Sequence, residues 1–179
     1  RRRHRAAVAH LRRLGPARTA LAALSSVALM ATLSACGGSA SADEADALSE
    51  VSLVFSGALE RYPNLKIVIG EAGLGWIPYV LQHMDLEWED QFQDLDLKMK
   101  PSEYWYRQCY ATYQTDPVGI RLLDLLGEDN VMWGSDYPHP DGIWPDSQEF
   151  LERELSGVSA EARRKITRDN AMKLYRLSN

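Results

Sequence analysis

Residues 130–140 read Asn-Val-Met-Trp-Gly-Ser-Asp-Tyr-Pro-His-Pro, a short apolar run followed by turn-forming residues. The apolar run predicts a buried strand, because it is short and bounded by turn formers. Pro138 and Pro140 have no amide hydrogen to donate, so the strand has to end before them. Asp136 is therefore predicted at the carboxyl end of a strand, where parallel α/β folds build their sites. The alternative is that Asp136 only caps the proline-rich turn.

A second predicted strand also ends in a carboxylate. Residues 66–70 read Lys-Ile-Val-Ile-Gly and follow a helix-breaking Pro-Asn pair, and their β-branched side chains favour a buried strand. Glu71 comes next, ahead of the small-residue loop 72–75. If both strands belong to one parallel sheet, Glu71 and Asp136 lie at the same edge of that sheet. This edge, formed by the carboxyl ends of the strands, is called the rim below. Oxygen ligands that converge in this way suit a divalent cation or general acid–base chemistry.

Helical patterns separate the predicted strands. Apolar residues between 76 and 91 recur with the spacing of an amphipathic helix, and Cys109–Tyr113 form a third predicted strand. Asp116, which precedes a proline, predicts the N-cap of a helix that ends at Gly127. The alternation of strand and helix predicts an α/β fold with a parallel sheet. Further helices are predicted near 147–155, 159–168 and 170–177, with Ser159 and Asn170 as caps.

Several segments resemble the amidohydrolase-related family of metal-dependent hydrolases and decarboxylases, which includes aminocarboxymuconate-semialdehyde decarboxylase. The most specific of them is Gly-Ser-Asp-Tyr-Pro-His at 134–139. The resemblance implies a (β/α)₈ TIM barrel, of which this chain holds the last three βα units as an incomplete barrel. A closed barrel takes about 250 residues, more than this chain has. The other similar segments are 53–71, 75–79 and 169–171.

The resemblance also implies a divalent metal, with zinc expected. In that family a His-x-His pair, further histidines and a final aspartate hold the metal; Asp136 matches that aspartate, which would ligate the metal and orient or deprotonate the attacking water. Glu71 stands where many members have a histidine, and this sequence contains no His-x-His. His139, three residues beyond Asp136, is either a site residue or a turn histidine. Asp136, Glu71 and His139 would supply the three protein ligands of a catalytic zinc site only if the geometry brings them together.

Residues 1–36 are predicted to be a bacterial lipoprotein signal peptide. Seven arginines and no acid lie within the first 18 residues, and the apolar run at 20–33 suits a signal-peptide core better than a bilayer span. The sequence Leu-Ser-Ala-Cys at 33–36 resembles a lipobox, which would make Cys36 a lipidated residue anchored to the membrane. The alternative is an arginine-rich transit peptide or a mistranslated sequence. A flexible linker at 37–47 and a partial amidohydrolase-related domain at 48–179 would follow.

Charge is divided unevenly along the chain. The sequence has 20 basic and 25 acidic residues, and removing the seven leader arginines leaves 13 basic against 25 acidic. A body this acidic should repel nucleic acid, so no nucleic-acid partner is expected. Cys109 lies in a predicted buried strand, which favours core packing over chemistry.

Three hypotheses for function follow from these observations. The first is a metal-dependent hydrolase or decarboxylase that acts on a small carboxylated or cyclic substrate, present here as its carboxyl-terminal part. The second is a non-catalytic, lipid-anchored envelope lipoprotein that uses the partial fold as a binding module. The third is a split enzyme completed by another chain, so that an oligomer or a missing barrel half is the expected partner. The expected location is the cell envelope if the leader is genuine, and the cytoplasm otherwise.

Overall fold

The computed structural model describes residues 50–177 of the chain. Within that range, three short strands form one parallel sheet in the order β1–β2–β3. Strand β1 spans Ile67–Ile69, β2 spans Cys109–Tyr113 and β3 spans Val131–Trp133. The predicted α/β class and parallel sheet are confirmed, and the sheet is open. Because all three strands run the same way, their carboxyl ends lie along a single rim.

Helices cover the sequence between and after the strands, as predicted. The predicted single helix before Gly127 is two short helices with a break at Leu122. Ser159 is confirmed as an N-cap, since its hydroxyl oxygen accepts from the amide of Ala162 at 3.1 Å. Among the described residues no helix is long and apolar enough to cross a membrane. The helices span Ala58–Arg61, Ile77–Gln91, Pro101–Gln108, Pro117–Arg121, Leu123–Leu126, Ser147–Glu154, Ala160–Arg164 and Asn170–Tyr175, with a π-helix at Lys165–Asp169. Residues 50–55 are helical as well.

Asn170 was wrongly predicted to be a helix cap. Helical backbone continues through the π-helix into the last helix, so no break precedes this residue. Asn170 is instead buried, and its side-chain amide donates to the carbonyls of Glu128 at 2.7 Å and Val131 at 2.8 Å. It therefore ties the last helix to the start of β3. Asparagine suits both roles, so sequence alone could not separate them.

The sheet belongs to a compact unit made of residues 64–81 and 105–177. Ala111 on β2 pairs with Ile69 on one side and Val131 on the other, and all three side chains are buried. Cys109 lies on the same strand and is 1% exposed, so its predicted role in core packing agrees with its position. The packing of this apolar layer fixes the level at which the three strands end.

A second unit contains residues 50–63 and 82–104. Phe55 and Phe92 pack edge to face with ring centroids 5.6 Å apart. The Tyr104 hydroxyl donates to Glu60 at 2.8 Å. Burial and this hydrogen bond raise the pKa of Tyr104 to about 12.

The buried carboxylate of Glu50, in the second unit, should make the free energy of unfolding depend on pH. Its side chain is 3% exposed, and neither carboxylate oxygen has a hydrogen-bond partner among the described residues. Burial raises its pKa to about 7. Because this folded-state pKa exceeds the unfolded value, Glu50 should cost no stability below about pH 4.5. The cost should grow as pH rises to 7 and then level off, at on the order of 3 kcal/mol.

The measurement is the free energy of unfolding in urea at pH 5 and at pH 8 for the wild-type chain and for Glu50→Gln. The variant should gain stability relative to wild type on going from pH 5 to pH 8. Glu152→Gln, at an exposed position, is the matched control and should show no such gain. An equal pH response in wild type and Glu50→Gln would show that Glu50 does not titrate in this range.

Candidate metal centre

Both carboxylates predicted at strand ends have a left-handed backbone. Glu71 follows β1 with φ 60°, and Asp136 follows β3 with φ 57°. The left-handed conformation costs a residue with a side chain roughly 1–2 kcal/mol, so it persists only where the surroundings impose it. Arg176 is the one further non-glycine residue of this kind among residues 50–177. Backbone strain at two rim carboxylates is an observation that points to a site.

The loop after β3 folds back on itself and brings side chains together. The amide of His139 donates to the carbonyl of Asp136 at 2.8 Å, and the amide of Gly142 donates to the carbonyl of His139 at 3.0 Å. A Cβ at Gly142 would lie 2.8–3.0 Å from the carbonyl oxygens of Ser135, Asp136 and His139, so this tight turn requires glycine. The turn places His139 on the same side of the loop as Asp136.

Three side chains of this loop form a group that could hold a metal ion. Asp136, His139 and Asp141, called the rim cluster below, each offer one ligand atom within 4.8 Å of the other two. The His139 Nδ1 atom lies 3.4 Å from Asp136 Oδ2 and makes a hydrogen bond with Asp141 Oδ1. The Asp136 side chain is 15% exposed, whereas His139 and Asp141 are mostly exposed. Two carboxylate oxygens and one imidazole nitrogen form a donor set that fits a divalent cation.

The negative charges in and around the rim cluster favour a cation there. The hydrogen bond to Asp141 raises the pKa of His139, and the negative charges of Asp136 and Glu71 raise it further. The same hydrogen bond lowers the pKa of Asp141. The carboxylates therefore favour a positive charge on the imidazole. A bound divalent cation would take the place of that proton, because a histidine ligand has to be neutral.

Glu71 lies at the same rim but outside the rim cluster. Strand β2 separates β1 from β3, so the ends of the two outer strands are about 9–10 Å apart. The amide of Glu71 donates to the hydroxyl of Thr112 on β2 at 3.3 Å, and its side chain is exposed. The metal-ligand geometry thus groups Asp136 and His139 with Asp141 rather than with Glu71. Asp141 was missed in the sequence, although it stands two residues after His139 in the same predicted turn.

Two aromatic side chains also lie in the loop after β3. Tyr137 and Trp144, both exposed, pack edge to face in this loop with ring centroids 5.0 Å apart.

Cys36, the predicted lipidation site, lies outside the described residues, and its lipidation stays a prediction.

Among curated proteins, the chain is similar to the gamma-resorcylate decarboxylase of Rhodococcus jostii. The two are 29% identical over 136 residues, which is 73% of this chain and 40% of that relative. The chain therefore spans about 40% of the length of the curated relatives it matches. A relationship at this identity is distant, and it covers only part of the relative.

Solved structures show the same partial overlap. The 5-carboxyvanillate decarboxylase of Sphingomonas paucimobilis is 29% identical, with a TM-score of 0.61 over 72% of this chain and 38% of that chain. A dihydroxybenzoic acid decarboxylase from Polaromonas sp. was solved with bound manganese and the inhibitor 2-nitroresorcinol. It is 24% identical, with a TM-score of 0.61 over 74% of this chain and 40% of that chain, a likeness that shows the fold alone. The three-stranded sheet thus corresponds to part of a TIM barrel.

The family assignment rests on a match that covers most of the chain. A family model described as amidohydrolase matches residues 5–177. The matched range starts inside the segment predicted to be a signal peptide, and it includes all three strands and the rim cluster. This chain belongs to the amidohydrolase family.

Proposed function

We propose that this chain forms the last three βα units of a metal-dependent decarboxylase that acts on an aromatic carboxylic acid. The observation that carries the proposal is the rim cluster, whose three ligand atoms lie within 4.8 Å of one another at the carboxyl end of β3. The relatives named as decarboxylases of gamma-resorcylate and 5-carboxyvanillate favour decarboxylation over hydrolysis. Substrate and activity belong to those proteins, and their extension to this chain is part of the proposal.

Asp136, His139 and Asp141 would hold the divalent metal. When bound, the metal would polarise and orient the oxygen atoms of the substrate. The bound manganese of the Polaromonas enzyme supports a divalent ion without selecting one for this chain. The zinc expected from the sequence stays a prediction, because an oxygen-rich donor set also suits manganese and magnesium.

Glu71 is proposed to move the proton that decarboxylation requires. When the bond between the ring and the carboxylate breaks, its electron pair stays on the ring carbon and carbon dioxide leaves. A proton must then reach that carbon from a group near the metal but not occupied by it. Glu71 meets both conditions, since it lies on the same rim outside the rim cluster. Its exposed side chain can be reprotonated from solvent.

Further strands are proposed to complete the sheet. Within residues 50–177, β1 and β3 each pair with β2 alone, so both edges of the sheet are open. Parallel sheets are usually covered on both faces, and barrels remove open edges altogether. We expect additional sequence or a second chain to supply the missing strands, and activity to depend on it.

Metal titration of the purified 179-residue chain tests the proposal. After treatment with a chelator, calorimetry with Mn²⁺ and with Zn²⁺ should each show one site per chain. His139→Gln should weaken binding by at least about tenfold, because it removes a nitrogen ligand. His83→Gln is the matched control, since this histidine lies on the helix Ile77–Gln91 and faces Glu87 at 3.8 Å. Failure of the wild-type chain to bind either ion would contradict a metal site in these residues.

A further inference from the structure

The carboxylate of Asp116 joins two loops at the rim. Its Oδ2 atom accepts from the amides of Leu74 at 2.6 Å and Gly75 at 2.9 Å. Its Oδ1 atom accepts from the amide of Gly119 at 2.7 Å, which makes Asp116 the N-cap of the helix Pro117–Arg121. A single carboxylate therefore accepts hydrogen bonds from a backbone amide at the start of one helix and from two amides of the loop that follows β1.

Glycines around Asp116 allow this close approach. A Cβ at Gly119 would lie 2.3 Å from the Cβ of Leu74 and 2.8 Å from Asp116 Oδ2, so no other residue fits there without movement. Gly73 has φ +66°, and a Cβ there would lie 3.3 Å from Asp116 Oδ2. Leu74 is fully buried, so its amide has no ready access to water as an alternative partner. Loss of the carboxylate would leave the amides of Leu74 and Gly75 without these hydrogen bonds.

Asp116 is itself held by a more distant residue. Its amide donates to Glu154 Oε2 at 3.2 Å, and the hydroxyl of the neighbouring Thr115 donates to Glu154 Oε1. Glu154 ends the helix Ser147–Glu154. The position of Asp116 is therefore set by a helix that follows β3.

Glu71 depends on this loop for its backbone conformation. Its φ of 60° is strained, and its own amide makes only a long hydrogen bond, 3.3 Å, to Thr112. Within the loop, the carbonyl of Ala72 accepts from Trp76 Nε1 at 2.8 Å. The next hydrogen bonds to a separate element are those that Asp116 accepts from two amides, three and four residues after Glu71. Strain of this kind is maintained by surrounding contacts, and the carboxylate of Asp116 supplies two of those made by the loop after Glu71.

We propose that Asp116 is a positioning residue that acts through Glu71, because its carboxylate fixes the loop 72–75 and so holds the strained backbone of Glu71 at the end of β1. The importance of Asp116 for catalysis rests on the proposed function. Among the described residues, the carboxylate and the amide of Asp116 make hydrogen bonds to Leu74, Gly75, Gly119 and Glu154 and none to the rim cluster.

A double-mutant cycle tests the inference. Mn²⁺ affinity is measured for wild type, Asp116→Asn, Glu71→Gln and the double variant, with Asp124→Asn as an exposed control of equal charge change. Each of the first two changes should weaken binding several-fold, and the double variant should bind no more weakly than Glu71→Gln alone. The control should leave the affinity unchanged. Additive losses in the double variant would overturn a role through Glu71.

Hydrogen exchange gives a second readout that does not need a metal. Asp116→Asn should speed exchange at least about tenfold at the amide of Glu71 as well as at Leu74 and Gly75. Glu154→Gln, a milder change, should give a smaller increase in the same direction and serves if Asp116→Asn does not fold. Unchanged exchange at Glu71 would overturn the inference. If the wild-type chain binds no Mn²⁺, the proposed function fails, and exchange at Glu71 still decides the positioning role.

Discussion

Replacing Asp136 with asparagine should lower Mn²⁺ affinity at least about 100-fold and abolish any decarboxylation. Asp136 has the most buried side chain of the rim cluster, so its negative charge acts on the metal with the least screening by water. Asparagine removes the charge but keeps the size, and it tolerates the left-handed backbone at φ 57° better than most residues. The loss of Mn²⁺ affinity should therefore come from the missing negative charge and not from a changed loop conformation. Asp136→Ala should abolish activity too.

The measurement combines calorimetry with a thermal unfolding curve for each variant. Asp136→Asn should melt close to the wild-type temperature while its metal affinity falls. Asp124→Asn is the control, because it removes an exposed aspartate from the helix Leu123–Leu126. Wild-type affinity in a folded Asp136→Asn would exclude this residue as a metal ligand and would leave it the turn-capping role.

Replacing Asn130 with alanine should destabilise the chain by roughly 2–4 kcal/mol. The Asn130 side chain is 5% exposed, and its amide nitrogen donates to the carbonyls of Trp105 at 3.1 Å, Tyr106 at 3.3 Å and Cys109 at 2.8 Å. Alanine would leave these acceptors without their donor, and each buried polar group left unsatisfied costs about 1–3 kcal/mol. The effect should be large because Asn130, the residue directly before β3, connects that strand to the start of β2.

Urea unfolding followed by circular dichroism measures the change. Asn64→Ala is the matched control, since Asn64 is exposed and its substitution should change the free energy of unfolding by less than about 0.5 kcal/mol. A similarly small change for Asn130→Ala would show that water replaces the lost donor. Metal affinity should fall only in proportion to the unfolded fraction, which separates this residue from Asp136.

The strands and caps were predictable because their signals are local. Strand β2 was predicted with its observed ends, and Asp116 and Ser159 were predicted as the caps they are. Each signal depends on a few adjacent residues, whose backbone preferences act over one turn. The break at Leu122 and the π-helix at Lys165–Asp169 were not predicted, because packing between elements imposes them.

The α/β class, the three strands and the positions of Glu71 and Asp136 at strand ends follow from local sequence patterns alone. Three roles became visible only in the folded chain: Asp141 completes the rim cluster, Asn170 is a buried anchor, and Asp116 accepts hydrogen bonds from the loop beside Glu71. These roles depend on hydrogen bonds and ligand geometry that form only on folding. For Asn170 and Asp116, the hydrogen bonds join residues about 40 positions apart in the sequence. Backbone propensity acts over neighbouring residues, whereas a site is built from side chains that the packed sheet brings to one rim.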